Sequence, residues 1–105
     1  MKLTKKIIDL IEEKTACGVN EYEDDYYIYV DNACGEDFEI TISKGKDEVE
    51  QIIEYCDNYD VDEHFDLWWG ANNGEPQSAR ELLENCEEIG ENLEQLADLL
   101  RGLKA

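Results

Sequence analysis

The chain has 105 residues, of which 28 are acidic and 9 basic, so its formal net charge is −19. This length fits one domain spanning residues 1–105, and 42% hydrophobic with 10% aromatic residues argues against disorder. Negative charge on this scale argues against binding to nucleic acid or anionic membranes and predicts attraction to basic surfaces. No signal-peptide or membrane-spanning pattern is present, so we expect a cytoplasmic protein with reduced cysteines.

The first predicted element is a short amphipathic helix. Apolar residues recur at helical spacing between Leu3 and Ile11, which predicts a helix over Thr4–Thr15 with Gly18 as its stop. Lysines in its first turns oppose the helix dipole, so tertiary packing must hold this helix in place.

A β-hairpin is predicted next, because the apolar period changes to two. Val19–Glu23 fits a short strand, and Tyr26–Val30 is a strong strand signal rich in aromatic and branched residues. Phe38–Ser43 alternates polar and apolar residues, and the turn-forming residues 31–37 connect it to the preceding strand. The tyrosines serve either as ordinary sheet covering, which is the favoured interpretation, or as a binding surface.

Asp47 is predicted to cap a second helix that ends near Asn58. The following residues, 61–69, fit either a helix or a strand. In a strand, Asp60, Asp62, His64 and Asp66 would project from one face. The aromatic content favours the strand, which would lie beside the hairpin, and residues 71–76 would form a loop.

The last quarter of the chain predicts a long helix, Ser78–Leu103. Ser78 and Glu81 have the spacing of a capping box, and Pro76 blocks extension backwards. Apolar side chains at alternating steps of four and three form one seam. They are Leu82, Cys86, Ile89, Leu93, Leu96, Leu100 and Leu103. The overall prediction is an α+β fold, in which a small antiparallel sheet of three or four strands packs against helices.

The cysteines and the single histidine are the candidate metal ligands. No Cys-x-x-Cys pair exists, so the signature of a zinc ribbon or finger is absent. Cys56 and Cys86 fall on apolar helix faces and are predicted to lie in the core. Cys17 and Cys34 leave open a zinc site with His64 and a carboxylate, although no metal or other cofactor is the favoured expectation.

No enzyme template matches, because the chain has one histidine and lacks the glycine-rich and nucleophile motifs of the common enzyme classes. The expected function is therefore binding, not catalysis. Acidic side chains and an outward-facing tryptophan are the candidate contacts to a basic partner. They are Glu84, Glu88 and Glu91 on the long helix, with Asp62, Asp66 and Trp68 before it. Matching the charge density of duplex DNA would need several of these segments to act together.

A resemblance rests on Asp60-Val61-Asp62-Glu63-His64-Phe65, Trp68-Trp69, the loop at residues 72–78 and Arg80-Glu81-Leu82-Leu83-Glu84. This pattern, over roughly residues 58–103, is similar to small acidic proteins of Firmicutes phages and mobile elements. In size, charge and origin such proteins also resemble anti-CRISPR proteins, including inhibitors of the Cas9 nuclease. The resemblance implies a basic host protein such as Cas9 as the partner and assigns no role to any residue.

Two functions follow as expectations. The first is an acidic inhibitor of mobile-element origin that blocks a basic nucleic-acid-binding protein, for example by preventing DNA loading onto Cas9. The alternative is a structural or regulatory binding module without inhibitory activity, either dimeric or stabilised by a metal.

Overall fold

The computed structural model describes residues 1–30, 38–72 and 78–104. These residues form four helices and a three-stranded antiparallel sheet, which confirms the predicted α+β fold. The elements are α1 (Lys5–Lys14), β1 (Cys17–Glu21), β2 (Asp25–Val30), β3 (Phe38–Ser43), α2 (Glu48–Asp57), α3 (Val61–Asn72) and α4 (Ala79–Lys104). The predicted turn at residues 31–37, with Cys34, and residues 73–76 of the predicted loop lie outside the described residues. Ala71 and Asn72 belong to α3, so the predicted start of the loop at residue 71 is wrong.

The sheet has the order β1-β2-β3, and the predicted hairpin is confirmed as the antiparallel pair of β2 and β3. Ile28 lies opposite Val19 on one side and Ile40 on the other, so the period-two pattern places the apolar side chains on one face. Helices α1, α2 and α4 contact the sheet. Ile28 and Ile40 are buried, which places the core on this face of the sheet.

Gly18 lies within β1, so the prediction that it stops the first helix is wrong. Helix α1 ends at Lys14, where the Thr15 amide and hydroxyl both donate to the Ile11 carbonyl. Gly18 lies opposite Tyr29 in the sheet register, and an added Cβ would come within 2.1 Å of the Tyr29 ring. A glycine is needed here because the tyrosine ring covers the strand backbone.

The start of α2 differs from the prediction at Asp47. This residue has a φ of 53°, in the left-handed region, and its side chain makes no capping hydrogen bond. The buried Glu48 carboxylate takes the nearby amides instead, accepting from Leu3 N and Gly45 N at 2.7 Å each. Burial alone would raise the pKa of Glu48, but these amide bonds outweigh it and hold the pKa below its ordinary value.

Residues 61–69 are helical, so the predicted fourth strand is wrong. The Asp60 carboxylate explains the helix, because Oδ1 accepts from the amides of Asp62 at 2.9 Å and Glu63 at 3.2 Å. This is the geometry of a side-chain N-cap, and acids in the first turn also complement the helix dipole. Local capping and packing of one face against α4 override the strand preference of the aromatic residues.

Helix α4 follows its prediction closely. Ser78 Oγ accepts from the Glu81 amide at 3.2 Å, which confirms the serine half of the predicted capping box. The Glu81 carboxylate accepts from the Ser78 hydroxyl at 3.2 Å, whereas the prediction had it accept from the Ser78 amide. All seam residues are buried except Leu103, which is half-buried. Ile89, Leu93, Leu96 and Leu100 join the main core, while none of the described helices combines the length and apolar character needed to cross a bilayer.

Candidate partner-binding surface

The predicted acidic stripe on α4 is exposed to solvent. Glu84, Glu88 and Glu91 follow steps of four and three, which place them on one face of the helix. Glu84 pairs with Arg80 at 3.3 Å, whereas Glu88 and Glu91 have no ion pair within the described residues. The stripe is thus an accessible line of carboxylates that is neutralised at its N-terminal end only.

The predicted cluster on residues 60–66 is split by the helix. Asp62 and Asp66 are exposed and lie four residues apart, on one face of α3. His64 lies on the opposite side, half-buried among aromatic rings. The shared face predicted for these three side chains is therefore wrong, because it depended on a strand.

The predicted strand placed Trp68 outward and Trp69 on the apolar face, and the helix reverses these positions. Trp68, the predicted outward anchor, is half-buried, packs against the core and lies 3.7 Å from the His64 ring between centroids. Trp69 is the exposed tryptophan, with 37% of its surface accessible, and it stacks on Phe65. Helical spacing places Trp69 on the same face as Asp62 and Asp66.

The candidate zinc ligands do not assemble within the described residues. Cys17 is buried at the start of β1, and His64 lies in α3. No three His, Cys, Asp or Glu side chains in residues 1–30, 38–72 and 78–104 are placed to hold a metal ion. Cys34 lies outside these ranges. Burial raises the pKa of Cys56 to about 12, which keeps this thiol protonated and fits its predicted place in the core.

Two depressions flank the side chain of Tyr59. The first, called here the acidic groove, runs between α4 and the α2–α3 junction and has a volume of about 530 Å³. Its carboxylates are Asp57, Glu87, Glu91, Glu94 and Asp98. Gly90 of α4 and Val61 of α3 line the groove side by side, and an added Cβ on Gly90 would lie 3.3 Å from Val61 Cγ2.

One cation occupies the acidic groove. Arg101 forms an ion pair with Asp57 of α2 and a second with Asp98, whose Oδ1 lies 3.4 Å from Nη1. The carboxylates raise the pKa of Arg101 further above its ordinary value, chiefly through the hydrogen bond to Asp57. This arginine joins the end of α2 to α4 and neutralises the C-terminal end of the groove.

The second depression, called here the aromatic cleft, has a volume of about 420 Å³ and lies between the start of β3 and the α2–α3 junction. Its apolar and aromatic lining is Phe38, Ile40, Tyr55, Tyr59, His64 and Leu67. Its carboxylates are Glu39, Asp60 and Glu63, and Asn58 completes the lining. No lysine or arginine lines this cleft among the described residues.

A short hydrogen-bonded chain fixes one wall of the cleft. Tyr59 Oη donates to the Cys86 carbonyl at 3.1 Å and lies 2.5 Å from His64 Nδ1. Because the hydroxyl has one hydrogen and the carbonyl only accepts, His64 must carry its hydrogen on Nδ1. Burial lowers the pKa of His64, so the ring is neutral at pH 7, and burial also raises the pKa of Tyr59.

The sequence interpretation missed the cleft, although it noted several of its parts. The sequence places Phe38 in a strand of alternating polar and apolar residues and His64 in a cluster of aspartates. The cleft forms because Phe38 lies 5.4 Å from Tyr59 and 5.2 Å from His64 between ring centroids. Asp60 was the sequence signal that could have revealed α3. An aspartate directly before a segment that has acids in its first turn is typical of a helix start.

Comparisons of the chain with protein-family models, with curated proteins and with solved structures found no match. The resemblance to acidic proteins of phages and mobile elements therefore stays a prediction from the residues alone.

Proposed function

We propose that this protein acts in the cytoplasm by binding, not catalysis, and attaches to a basic nucleic-acid-handling protein whose activity it blocks. Cas9 is the target to test first. The observation that supports this proposal is a long acidic surface whose carboxylates have few internal cations. Glu87, Glu88, Glu91 and Glu94 all lie on α4, and none forms an ion pair with another described residue.

The uneven distribution of cations concentrates the acidity. Residues 47–100 contain one lysine or arginine, Arg80, whereas α1 and its flanks contain four lysines. At the other end of the molecule, Glu50 binds Lys104 at 2.8 Å and the N-terminal amine at 2.5 Å. These two contacts, the lysine first, lower the pKa of Glu50 to about 2. Carboxylates without a neighbouring cation therefore predominate on α3 and on α4 between Arg80 and Arg101.

Such a surface supports binding to a protein that itself binds nucleic acid. Cas9 holds its guide and target strands in positively charged channels. An acidic protein seated at a channel would exclude nucleic acid by its volume and by charge. The encounter would be screened over about 10 Å at 0.1 M salt, so affinity should fall as salt rises.

The test is a DNA-cleavage assay with Cas9, guide RNA and target DNA, in which the full chain is added before or after the DNA. We expect inhibition when the protein is added first and less when it follows, because bound DNA would occupy the channel. Absence of inhibition together with absence of salt-sensitive binding would contradict the Cas9 proposal. Salt-sensitive binding without inhibition would support the alternative of a non-inhibitory binding module.

A matched pair of charge variants assigns the effect to α4. The test variant replaces Glu84, Glu88 and Glu91 by glutamine, and the control replaces Glu13, Glu23 and Asp24 by their amides. All six residues are exposed, and each triple change removes the same formal charge. We expect the α4 variant to lose inhibition with little change in melting temperature, and the control to inhibit like the original chain. Equal loss in both variants would mean that net charge alone drives binding.

A further inference from the structure

We infer that the aromatic cleft binds an arginine side chain of the partner protein. This inference rests on the proposed function, since it takes the partner to be basic. It adds what the acidic surface alone does not supply, namely a shaped pocket for one side chain.

The shape and lining of the cleft favour a flat, partly apolar group. Its volume of about 420 Å³ lies within the range of roughly 300–1,000 Å³ typical of ligand pockets. Tyr55 and Leu67 are 53% and 71% exposed, although both are large and apolar. Tyr59 and Phe38 are half-buried beside them. Together these side chains give the cleft a mainly apolar lining that is open to solvent.

The charge of the cleft determines the sign of its occupant. Glu39 and Glu63 are exposed carboxylates, and neither forms an ion pair within the described part of the chain. Asp60 adds a third carboxylate, although its Oδ1 already caps α3. A cation would therefore be attracted by the carboxylates and by the faces of the aromatic rings, which both favour positive charge.

The hydrogen-bonding groups point to a donor-rich occupant. The neutral His64 ring uses its Nδ1 hydrogen on Tyr59, so its remaining nitrogen, Nε2, can only accept. The carboxylates also accept only. A guanidinium group carries five N–H donors and accepts none, which complements this set of acceptors.

Arginine suits the cleft better than lysine. Its planar guanidinium stacks on aromatic faces, pairs with carboxylates through two hydrogens and is weakly hydrated, whereas the lysine ammonium holds its water strongly. The neighbouring acidic groove already shows that this surface accommodates a guanidinium, because Arg101 binds Asp57 and Asp98 there. Tyr59 lines both depressions, so the two sites share one wall.

The inference is tested by NMR titration of the ¹⁵N-labelled full chain with N-acetyl-arginine amide and, separately, with N-acetyl-lysine amide. We expect the arginine compound to shift the backbone amides of Tyr59, Glu63 and His64, with weaker and less localised changes for lysine. Equal or stronger binding of the lysine compound, or arginine shifts that avoid the cleft, would overturn the inference.

Two variants and two matched controls assign the binding to the cleft. Tyr55→Ala and Glu63→Gln should each weaken arginine-amide binding about threefold, by loss of one ring face or one charge. The controls are Tyr22→Ala and Glu23→Gln in the β1–β2 turn, at the opposite end of the sheet. Tyr22 is 52% exposed, close to the value for Tyr55. Unchanged binding in both cleft variants, or equal loss in the controls, would contradict the inference.

Binding to the whole partner separates this inference from the proposed function. If Cas9 binds the original chain and the Glu63→Gln variant equally well, the cleft is not an anchor, while the proposed function stands. If arginine amide binds in the cleft and Cas9 shows no salt-sensitive binding, the Cas9 proposal fails while the arginine site stands.

Discussion

The two depressions beside Tyr59 differ in whether a cation of the chain already pairs with their carboxylates. The acidic groove has five carboxylates, and Arg101 already pairs with two of them. The aromatic cleft has three carboxylates, yet no lysine or arginine lines it among the described residues. With two of its five carboxylates paired, the groove keeps three unpaired, the same number that lines the cleft, so carboxylate number alone does not distinguish the two sites. The available charge is what remains after the chain's own cations have paired.

The apolar lining separates the two sites further. The groove has the Tyr59 ring beside Val61, Gly90 and Ala97, while the cleft adds the rings of Tyr55 and Phe38 to that of Tyr59. More of the exposed lining is polar in the groove than in the cleft, so the interaction of a groove carboxylate with a cation is weakened by solvent. A cation in the cleft would contact ring faces and lose part of its hydration, which strengthens the same attraction.

The largest expected effect comes from the residue that the two sites share. Tyr59→Ala removes ring contacts to Phe38 and His64 and the hydrogen bond to the Cys86 carbonyl. We expect a loss of about 2–3 kcal/mol in the free energy of unfolding, below the cost for a fully buried aromatic residue. Denaturant unfolding measures this loss.

Tyr59→Phe separates the ring from the hydroxyl. It keeps the ring contacts and removes the hydroxyl, so a loss of about 1 kcal/mol is expected. Tyr55→Ala, at an exposed position, is the control and should change stability by about 0.5 kcal/mol or less. If Tyr59→Ala unfolds like the original chain, Tyr59 does not hold the two depressions together.

A smaller effect is expected when the groove loses its own cation. Arg101→Gln leaves Asp57 and Asp98 unpaired near Glu91 and Glu94. Because these groups are about half exposed and screened by solvent, the loss of stability should be smaller than that of Tyr59→Phe and should shrink as salt is added. The measurement is denaturant unfolding at two salt concentrations.

The same variant tests whether the internal arginine keeps the groove closed. N-acetyl-arginine amide should shift the amides of Gly90 and Ala97 in Arg101→Gln, and should leave them unchanged in the original chain. Arg80→Gln is the control, since Arg80 pairs with Glu84 and does not line the groove. Arginine shifts in the groove of the original chain would show that Arg101 does not control access.

The smallest effect is expected from the pH dependence of His64. Burial lowers its pKa in the folded state below the ordinary value of 6.5. Between the folded-state and unfolded-state pKa values of His64, the unfolded chain binds more protons than the folded chain. The contribution of the neutral ring to stability is therefore complete above about pH 6.5 and declines as the pH falls. Glu39, Asp60, Glu63 and the Tyr59 hydroxyl line the same cleft as this ring.

The measurement compares the original chain with His64→Gln from pH 7.5 to 5.5. Protonation of the many carboxylates changes the stability of both proteins alike, so the difference in unfolding free energy isolates the histidine. We expect the original chain to lose stability relative to His64→Gln as the pH falls. A constant difference would mean that His64 has the same pKa in the folded and unfolded states.

The elements whose apolar residues recur at regular spacing were predictable from the sequence. The seam of α4 and the alternation of β2 and β3 each arise from local geometry, so the residue spacing carries the information. The stripe of Glu84, Glu88 and Glu91 was predictable for the same reason, since a helix places residues four and three apart on one face. Helix α3 was missed because its aromatic residues favour a strand on average, whereas the Asp60 cap decided the local structure.

The cleft could not be derived from spacing. It requires Phe38 on β3 to approach Tyr59 and His64, which are more than 20 residues further along the chain. This approach depends on the packing of α2 and α3 against α4, to which both helices contribute contacts. Sequence patterns specify which face of an element is apolar, but they do not specify which faces of distant elements form one pocket.

The contact between Trp68 and His64 gives the molecule an optical reporter. The indole and imidazole rings lie 3.7 Å apart between centroids, and the chain has two tryptophans. A protonated imidazole accepts an electron from an excited indole and quenches its emission, whereas the neutral ring does so far less. In a Trp69→Phe variant, the emission of Trp68 should therefore dim as His64 gains its proton, which makes the charge state of the cleft visible in the intact, folded protein.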